Sequence, residues 1–157
     1  MINFIKASIN DAHEIWNVRT SAIRAINQPG YKKEDLIKWA PEKMPEDFVK
    51  AIKNNEWYKV TDNNLIIGTG YVDVDKKRLE AVFVLPQYQG QGIGNLIINN
   101  LHDIAIKHGL TELYLDATLN AEGFYSKHGY IKIKDSMHIS PLGVSLASVV
   151  MKKFFYI

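Results

Sequence analysis

The chain has 157 residues, of which 46% are hydrophobic and 23% charged, and its formal net charge is +2. This predicts one soluble globular domain over residues 1–157 with a single core, and the small positive charge argues against a nucleic-acid-binding protein. The lack of cysteine excludes disulfides, thiolate metal sites and a cysteine nucleophile, and suits a reducing, cytoplasmic setting.

Residues 2–7 alternate apolar and polar side chains, which predicts a first strand and not a signal peptide. Ser8 or Asn10 can cap a helix whose apolar face is Ile15, Val18, Ala22, Ile23 and Ile26, ended by Pro29-Gly30. Two shorter helices are expected over 34–39, closed by Pro41, and 46–53, opened by Pro45. Lysines between Lys32 and Lys53 are interrupted by acids, so that surface is expected to be solvated. The period then changes to two. Residues 57–61, 65–74 and 79–85 predict three antiparallel strands joined by turns at Asp62-Asn63-Asn64 and Asp75-Lys76-Lys77. Ile93, Leu96, Ile97, Leu101, Ile104 and Ala105 mark one face of a long helix stopped at Gly109. A buried strand (113–117), a short helix (121–127) and strands at 130–133 and 144–155 complete the chain. The order predicts a mixed α/β (α+β) domain with one strand–loop–helix–strand crossover, and no apolar run approaches membrane-spanning length.

The crossover carries the most informative stretch, Val84-Leu85-Pro86-Gln87-Tyr88-Gln89-Gly90-Gln91-Gly92-Ile93-Gly94. A glycine-rich loop at a helix N-terminus presents backbone N–H groups to an anion. A dinucleotide fingerprint would need its third glycine where Asn95 stands, and a P-loop would need Lys-Ser/Thr after Gly94, where Asn95 and Leu96 follow. A purely structural turn would require one glycine and not three in alternation.

Gln89-x-x-Gly92-x-Gly94 resembles the pyrophosphate motif of the GNAT superfamily of N-acetyltransferases. Two further segments carry the resemblance. Leu79-Glu80-Ala81-Val82-Phe83-Val84-Leu85-Pro86 is similar to the family's fourth strand with its exit proline, and Asn120-Ala121-Glu122-Gly123-Phe124-Tyr125 continuing to Gly129-Tyr130 is similar to its Asn…Phe-Tyr…Gly-Tyr segment. The order and spacing agree from about residue 65 to residue 130. The resemblance implies a central, mostly antiparallel sheet of about seven strands, splayed between strands 4 and 5 and flanked by helices. It implies an acyltransferase that uses acetyl-CoA as co-substrate without a metal, works on an amine acceptor as a monomer or homodimer, and has neither a nucleic acid nor a membrane as partner.

Acetyl transfer must bind a polyanion, polarise a thioester carbonyl and manage two protons. The loop residues Gln89, Gly90, Gln91, Gly92, Ile93, Gly94 and Asn95 are the expected pyrophosphate cradle, helped by the dipole of the following helix. A side chain at Gly92 or Gly94 would hold phosphate off the backbone. By resemblance, Phe83, Val84 and Leu85 pair with the pantetheine arm, with the Val84 N–H at the acetyl carbonyl, and Pro86 also suits a plain strand end. Tyr125 is the expected general acid toward the departing thiolate. Since a thiol pKa of about 8.5 makes thiolate a tolerable leaving group, loss of Tyr125 should slow transfer without abolishing it. Asn120 reads as the cap of the short helix, with a contact to the CoA arm added by the resemblance.

A base is needed as well, since a lysine-like amine with a pKa near 10.4 is neutral in roughly one molecule in 2,500 at pH 7. Glu80, expected on the same strand face as Val82 and Val84, is the first candidate, Asp116 the second and His138 the third. A surface salt bridge is the alternative for either carboxylate. On the acceptor side, Trp16, Arg19, Tyr31, Trp39 and Trp57 offer either an aromatic wall for a cation or core packing, with packing preferred for Trp16. The competing readings are an acyl-CoA-binding sensor without turnover and an interaction module with a structural glycine loop.

Overall fold

The computed structural model describes residues 1–140 and 143–155. It contains strands β1 (Ile2–Lys6), β2 (Glu56–Asp62), β3 (Leu65–Asp73), β4 (Arg78–Val84), β5 (Glu112–Thr118), β6 (Ile131–Ile139) and β7 (Ser145–Phe154). Its helices are α1 (Ala12–Arg24), α2 (Lys33–Trp39), α3 (Asp47–Asn54), α4 (Ile93–Lys107) and α5 (Glu122–Lys127). The strands form one sheet in the order β1-β2-β3-β4-β5-β7-β6, antiparallel throughout except for the β4–β5 neighbours. Among the described residues, no helix is long and apolar enough to cross a membrane.

The two faces of the sheet are covered for different reasons. On one, α4 lies across β3 because Gly68 and Gly70 leave it room: a Cβ there would stand 2.9 Å from the Ile97 or Leu101 side chain respectively. Ile97, Ile98, Leu101 and Ala105 are fully buried as a result, each large side chain contributing about 1.5–3 kcal/mol. On the other face, α1 and α3 bury Ile15, Trp16, Phe48 and Ile52 against Trp57 and Ile66. Trp16 and Trp57 are therefore core residues. The β2–β3 turn places Asn63 and Asn64 at φ 49° and 74°, the left-handed region that asparagine tolerates better than most residues. Ser8 opens a short 3-10 turn ahead of α1, where its N–H donates to the Asp11 carboxylate at 2.9 Å.

Two features of β4 prepare the site. First, β4 and β5 are registered at one position only, Arg78 opposite Tyr114, where the Tyr114 N–H donates to the Lys77 carbonyl at 2.8 Å. Beyond it the strands part, as the resemblance implies. Second, β4 is bulged. Thr69 pairs with Phe83 but Tyr71 pairs with Glu80, so Gly70 faces both Ala81 and Val82, and Ala81 takes φ +56°. The extra residue reverses the strand's parity. Leu79, Val82 and Val84 all pack toward α4, while Ala81 and Phe83 pack toward α1. Glu80, next to Leu79, is thereby turned to the α1 face, correcting the expectation that it shares a face with Val82 and Val84. A second correction concerns β6, expected over 130–133 but extending to Ile139.

Candidate active site

The loop after β4 is built to leave backbone exposed. Pro86 opens a short 3-10 turn, and Gly90 and Gly92 follow at φ +78° and +85° with no atom within 4 Å of where a Cβ would be. The first bond of α4 runs from the Leu96 N–H to the Gly92 carbonyl at 3.0 Å, which leaves the N–H groups of Ile93, Gly94 and Asn95 at the positive end of the helix without an intrahelical acceptor. Neighbouring side chains are occupied. Gln89 Nε2 donates to the Val84 carbonyl at 3.3 Å, Gln91 Nε2 to the Gln87 carbonyl at 3.2 Å, and Asn95 Oδ1 lies 2.8 Å from His128 Nε2. Gly94 has a role the sequence did not disclose: a Cβ there would be 3.2 Å from the Phe124 ring, so its glycine lets α5 dock on the start of α4.

Backbone direction separates the three β4 residues expected to meet the cofactor arm. The Leu85 N–H donates to the Ile67 carbonyl at 2.8 Å, so in this antiparallel ladder Leu85 and, two residues away, Phe83 are the positions bonded to β3. Val84, opposite Gly68, is the non-bonded position between them, and its N–H points away from β3 into the gap left by β5.

That gap opens into a cavity of about 260 Å³ walled by Glu80–Phe83 of β4, Leu115–Thr118 of β5, Arg19 and Ile23 of α1, Trp39 of α2, Tyr125 of α5, His138 of β6 and Ser148 of β7. The glycine loop does not line it. The parted strands thus connect the α4 face, which carries the loop, to the α1–α2 face, which carries the cavity. The structure brings together Tyr125, Glu80, Asp116 and His138, and adds Arg19 and Trp39 from the acceptor-side set. Tyr31 stands nearby, its hydroxyl donating to the Ala147 carbonyl and accepting from the Leu119 N–H.

The two carboxylates differ in surroundings. Glu80 Oε1 accepts from Arg78 Nε at 2.7 Å, with both side chains about 32% exposed. Asp116 is 14% exposed, its Oδ2 lying 2.9 Å from His138 Nδ1 while its Oδ1 has no partner. The His138 ring lies on Trp39 with centroids 4.7 Å apart. Burial, and then the Glu80 charge, raises the pKa of the Tyr125 phenol well above its ordinary value, so it stands protonated at neutral pH. Asn120 departs from expectation. The residue at the cap of α5 is Ala121, without a side-chain cap bond, and Asn120 sits exposed in the preceding 3-10 turn. Arg78 and Ser148 were not singled out from sequence. An arginine two residues before a strand glutamate is the one signal that pointed to Arg78, since alternation puts both on one face.

Comparison with known proteins decides the lineage. A family model described as an acetyltransferase (GNAT) domain matches residues 27–141, covering the parted strands, the loop and most of the cavity. The chain belongs to the GNAT acetyltransferase family. It is 30% identical over 87 residues, 55% of this chain and 57% of the other, to the peptidyl-lysine N-acetyltransferase YjaB of Salmonella typhimurium. The alignments span about half the length of the curated relatives it matches. Among solved GNAT structures, a GCN5-related N-acetyltransferase from Rhodopseudomonas palustris superposes with a TM-score of 0.87 at 21% identity, covering 99% of this chain and 95% of the other. The PaiA N-acetyltransferase of Thermoplasma acidophilum, solved in complex with coenzyme A, gives 0.79 at 19% identity over 99% of both chains. The mixed α/β architecture with parallel β4–β5 neighbours is that of the GNAT fold.

Proposed function

We propose that this protein transfers the acetyl group of acetyl-CoA to a primary amine by direct attack within a ternary complex, using one domain built on the whole sheet. The observation that carries this reading is the opening between β4 and β5, which joins an anion-cradling loop on one face to a cavity carrying Glu80, Asp116, Tyr125 and His138 on the other. Gln89, Gly90, Gln91, Gly92, Ile93, Gly94 and Asn95 fit the pyrophosphate, with open space at Gly90 and Gly92 and free N–H groups at the start of α4. Exposed Asn120 is free to meet the CoA arm, which runs beside Phe83, Val84 and Leu85.

In this reading the amine nitrogen attacks the thioester carbon from the cavity side. The Val84 N–H donates to the carbonyl oxygen as it gains charge, an interaction made most strongly in the transition state. The C–S bond breaks with its electron pair on sulfur, and the Tyr125 phenol, kept protonated by its burial, donates a hydrogen bond to the departing thiolate. The amine's surplus proton goes to the Asp116–His138 pair: with Nδ1–H donating to Asp116, the imidazole keeps Nε2 as acceptor. Asp116 suits this role better than Glu80, whose carboxylate is already engaged by Arg78; Glu80 contributes negative potential that draws an ammonium inward.

The test is steady release of CoA thiol with a panel of primary amines. Amine-dependent turnover is expected. Tight acetyl-CoA binding with no turnover for any amine would favour a sensor, and no binding at all would favour an interaction module.

A further inference from the structure

Three buried side-chain polar atoms among the described residues have no hydrogen-bond partner: Arg19 Nη1, Asp116 Oδ1 and Ser148 Oγ. All three residues line the same cavity. Other buried polar side chains are paired, such as Trp57, whose Nε1 donates to Thr69 Oγ1 at 2.7 Å, and His102, 2.8 Å from the Tyr130 hydroxyl. Unsatisfied buried groups disfavour folding, so their convergence on one cavity points to a ligand that completes them.

Their chemistry specifies that ligand. Asp116 offers an acceptor, Ser148 a neutral hydroxyl and Arg19 a cation. Arg19 makes no ion pair among the described residues. Its guanidinium lies 4.5 Å from the Trp16 ring centroid, and its Nη2 has a long 3.5 Å contact to the Trp39 carbonyl. Burial without a counter-charge lowers its pKa to about 10, which still leaves it charged at neutral pH. An uncompensated guanidinium in the cavity that also holds an amine-accepting carboxylate calls for an anion. Glu80 does not serve, because Arg78 holds it and among the described residues no ion pair joins it to Arg19. Building on the acetyl-transfer reading above, we propose that the acceptor is a small primary amine that also carries a carboxylate, such as a free amino acid. Its amino group lies toward Asp116 and His138, and its carboxylate toward Arg19. A cavity of about 260 Å³, near the lower end for small-molecule sites, fits such a compact zwitterion. A lysine side chain on a protein brings an ammonium group with no anion beside it and leaves Arg19 unmatched.

The experiment compares kcat/KM for free amino acids with that for their amides and decarboxylated amines, in the wild type and in Arg19→Met and Arg19→Lys. Calorimetry of the same ligands, with and without CoA present, runs in parallel. A charge-assisted hydrogen bond predicts a preference of about 10–100-fold for the carboxylated acceptor. Arg19→Met should raise its KM by a comparable factor, change kcat little and erase the preference, while Arg19→Lys restores part of it. Turnover on neutral amines with no preference for carboxylates would overturn this inference and leave the acetyltransferase reading standing. Amino-acid binding that is lost in Arg19→Met, with no turnover on any amine, would support the carboxylate contact at Arg19 but overturn the catalytic reading and the acceptor role that rests on it. Neither binding nor turnover with any carboxylated amine would overturn the inference.

Discussion

Gly92→Val separates the cradle's chemistry from its strain. Gly92 stands at φ +85°, where an L-residue costs about 1–2 kcal/mol and a β-branched one lies at the upper end. No protein atom beyond the chain neighbours lies within 4 Å of the new Cβ, so that strain is the main cost to the fold, a fall in melting temperature of roughly 2–4 °C per kcal/mol for a chain of this size. The cost to binding is larger. A side chain at this point stands between phosphate and the N–H groups of residues 92–95, and the loss of two charge-assisted hydrogen bonds at about 1.5–3 kcal/mol each weakens acetyl-CoA by more than about 100-fold. Gly109, at the other end of the same helix, supplies the control, since it has φ +79° and an equally open Cβ position. Gly109→Val should lower stability to a similar degree and leave affinity alone. Isothermal titration with acetyl-CoA beside thermal melts distinguishes the two. Unchanged acetyl-CoA affinity in folded Gly92→Val, or equal losses in both variants, would refute the reasoning.

Three further outcomes are expected. Tyr125→Phe should lower kcat by about 10–100-fold without abolishing turnover, because a thiolate can leave unprotonated; the loss should shrink when the leaving thiol is made more acidic. Asp116→Asn should lower kcat by about 100-fold or more, whereas Glu80→Gln should act chiefly on KM; steady-state kinetics would show the reverse pattern if Glu80 were the base. Buried His102 titrates near 4, held down by desolvation and then by Lys153 and His128. An unfolded histidine near 6.5 takes its proton first as pH falls, so stability is fully present above about pH 6.5 and drains away toward pH 4, by about 3 kcal/mol from this group. Urea unfolding at pH 7 and pH 4.5 should show a smaller pH-dependent loss in His102→Gln than in the wild type.

Much of the frame was legible in the residues because each element had a local cause. The alternation through residues 57–85, the apolar face from Ile93 to Ala105 and the asparagine turn at Asn63-Asn64 each follow from periodicity or left-handed tolerance. What escaped depends on tertiary context. The bulge at Ala81 places an ordinary alanine at positive φ, which no propensity announces, and so the orientation of Glu80 was missed. Residues 131–139 form an edge strand exposed on both faces apart from half-buried Ser136; its apolar alternation, Ile131, Ile133, Met137 and Ile139, is broken by Asp135, so the period could not be followed past Ile133. Asn120 has a capping side chain but lies in a 3-10 turn one residue before the helix cap. Arg19 and Ser148 are far apart in sequence, and only folding reveals that their unpartnered atoms belong to residues of the same cavity as Asp116.

A crystal structure of the protein with CoA would show whether the parted β4–β5 strands hold the thioester. Pyrophosphate should lie against the N–H groups of residues 90–95, the thiol beside Val84 and Tyr125 in the opening between β4 and β5, and Asp116 with His138 facing it across the cavity. CoA bound away from the glycine loop, or a thiol lying outside that opening, would contradict this arrangement.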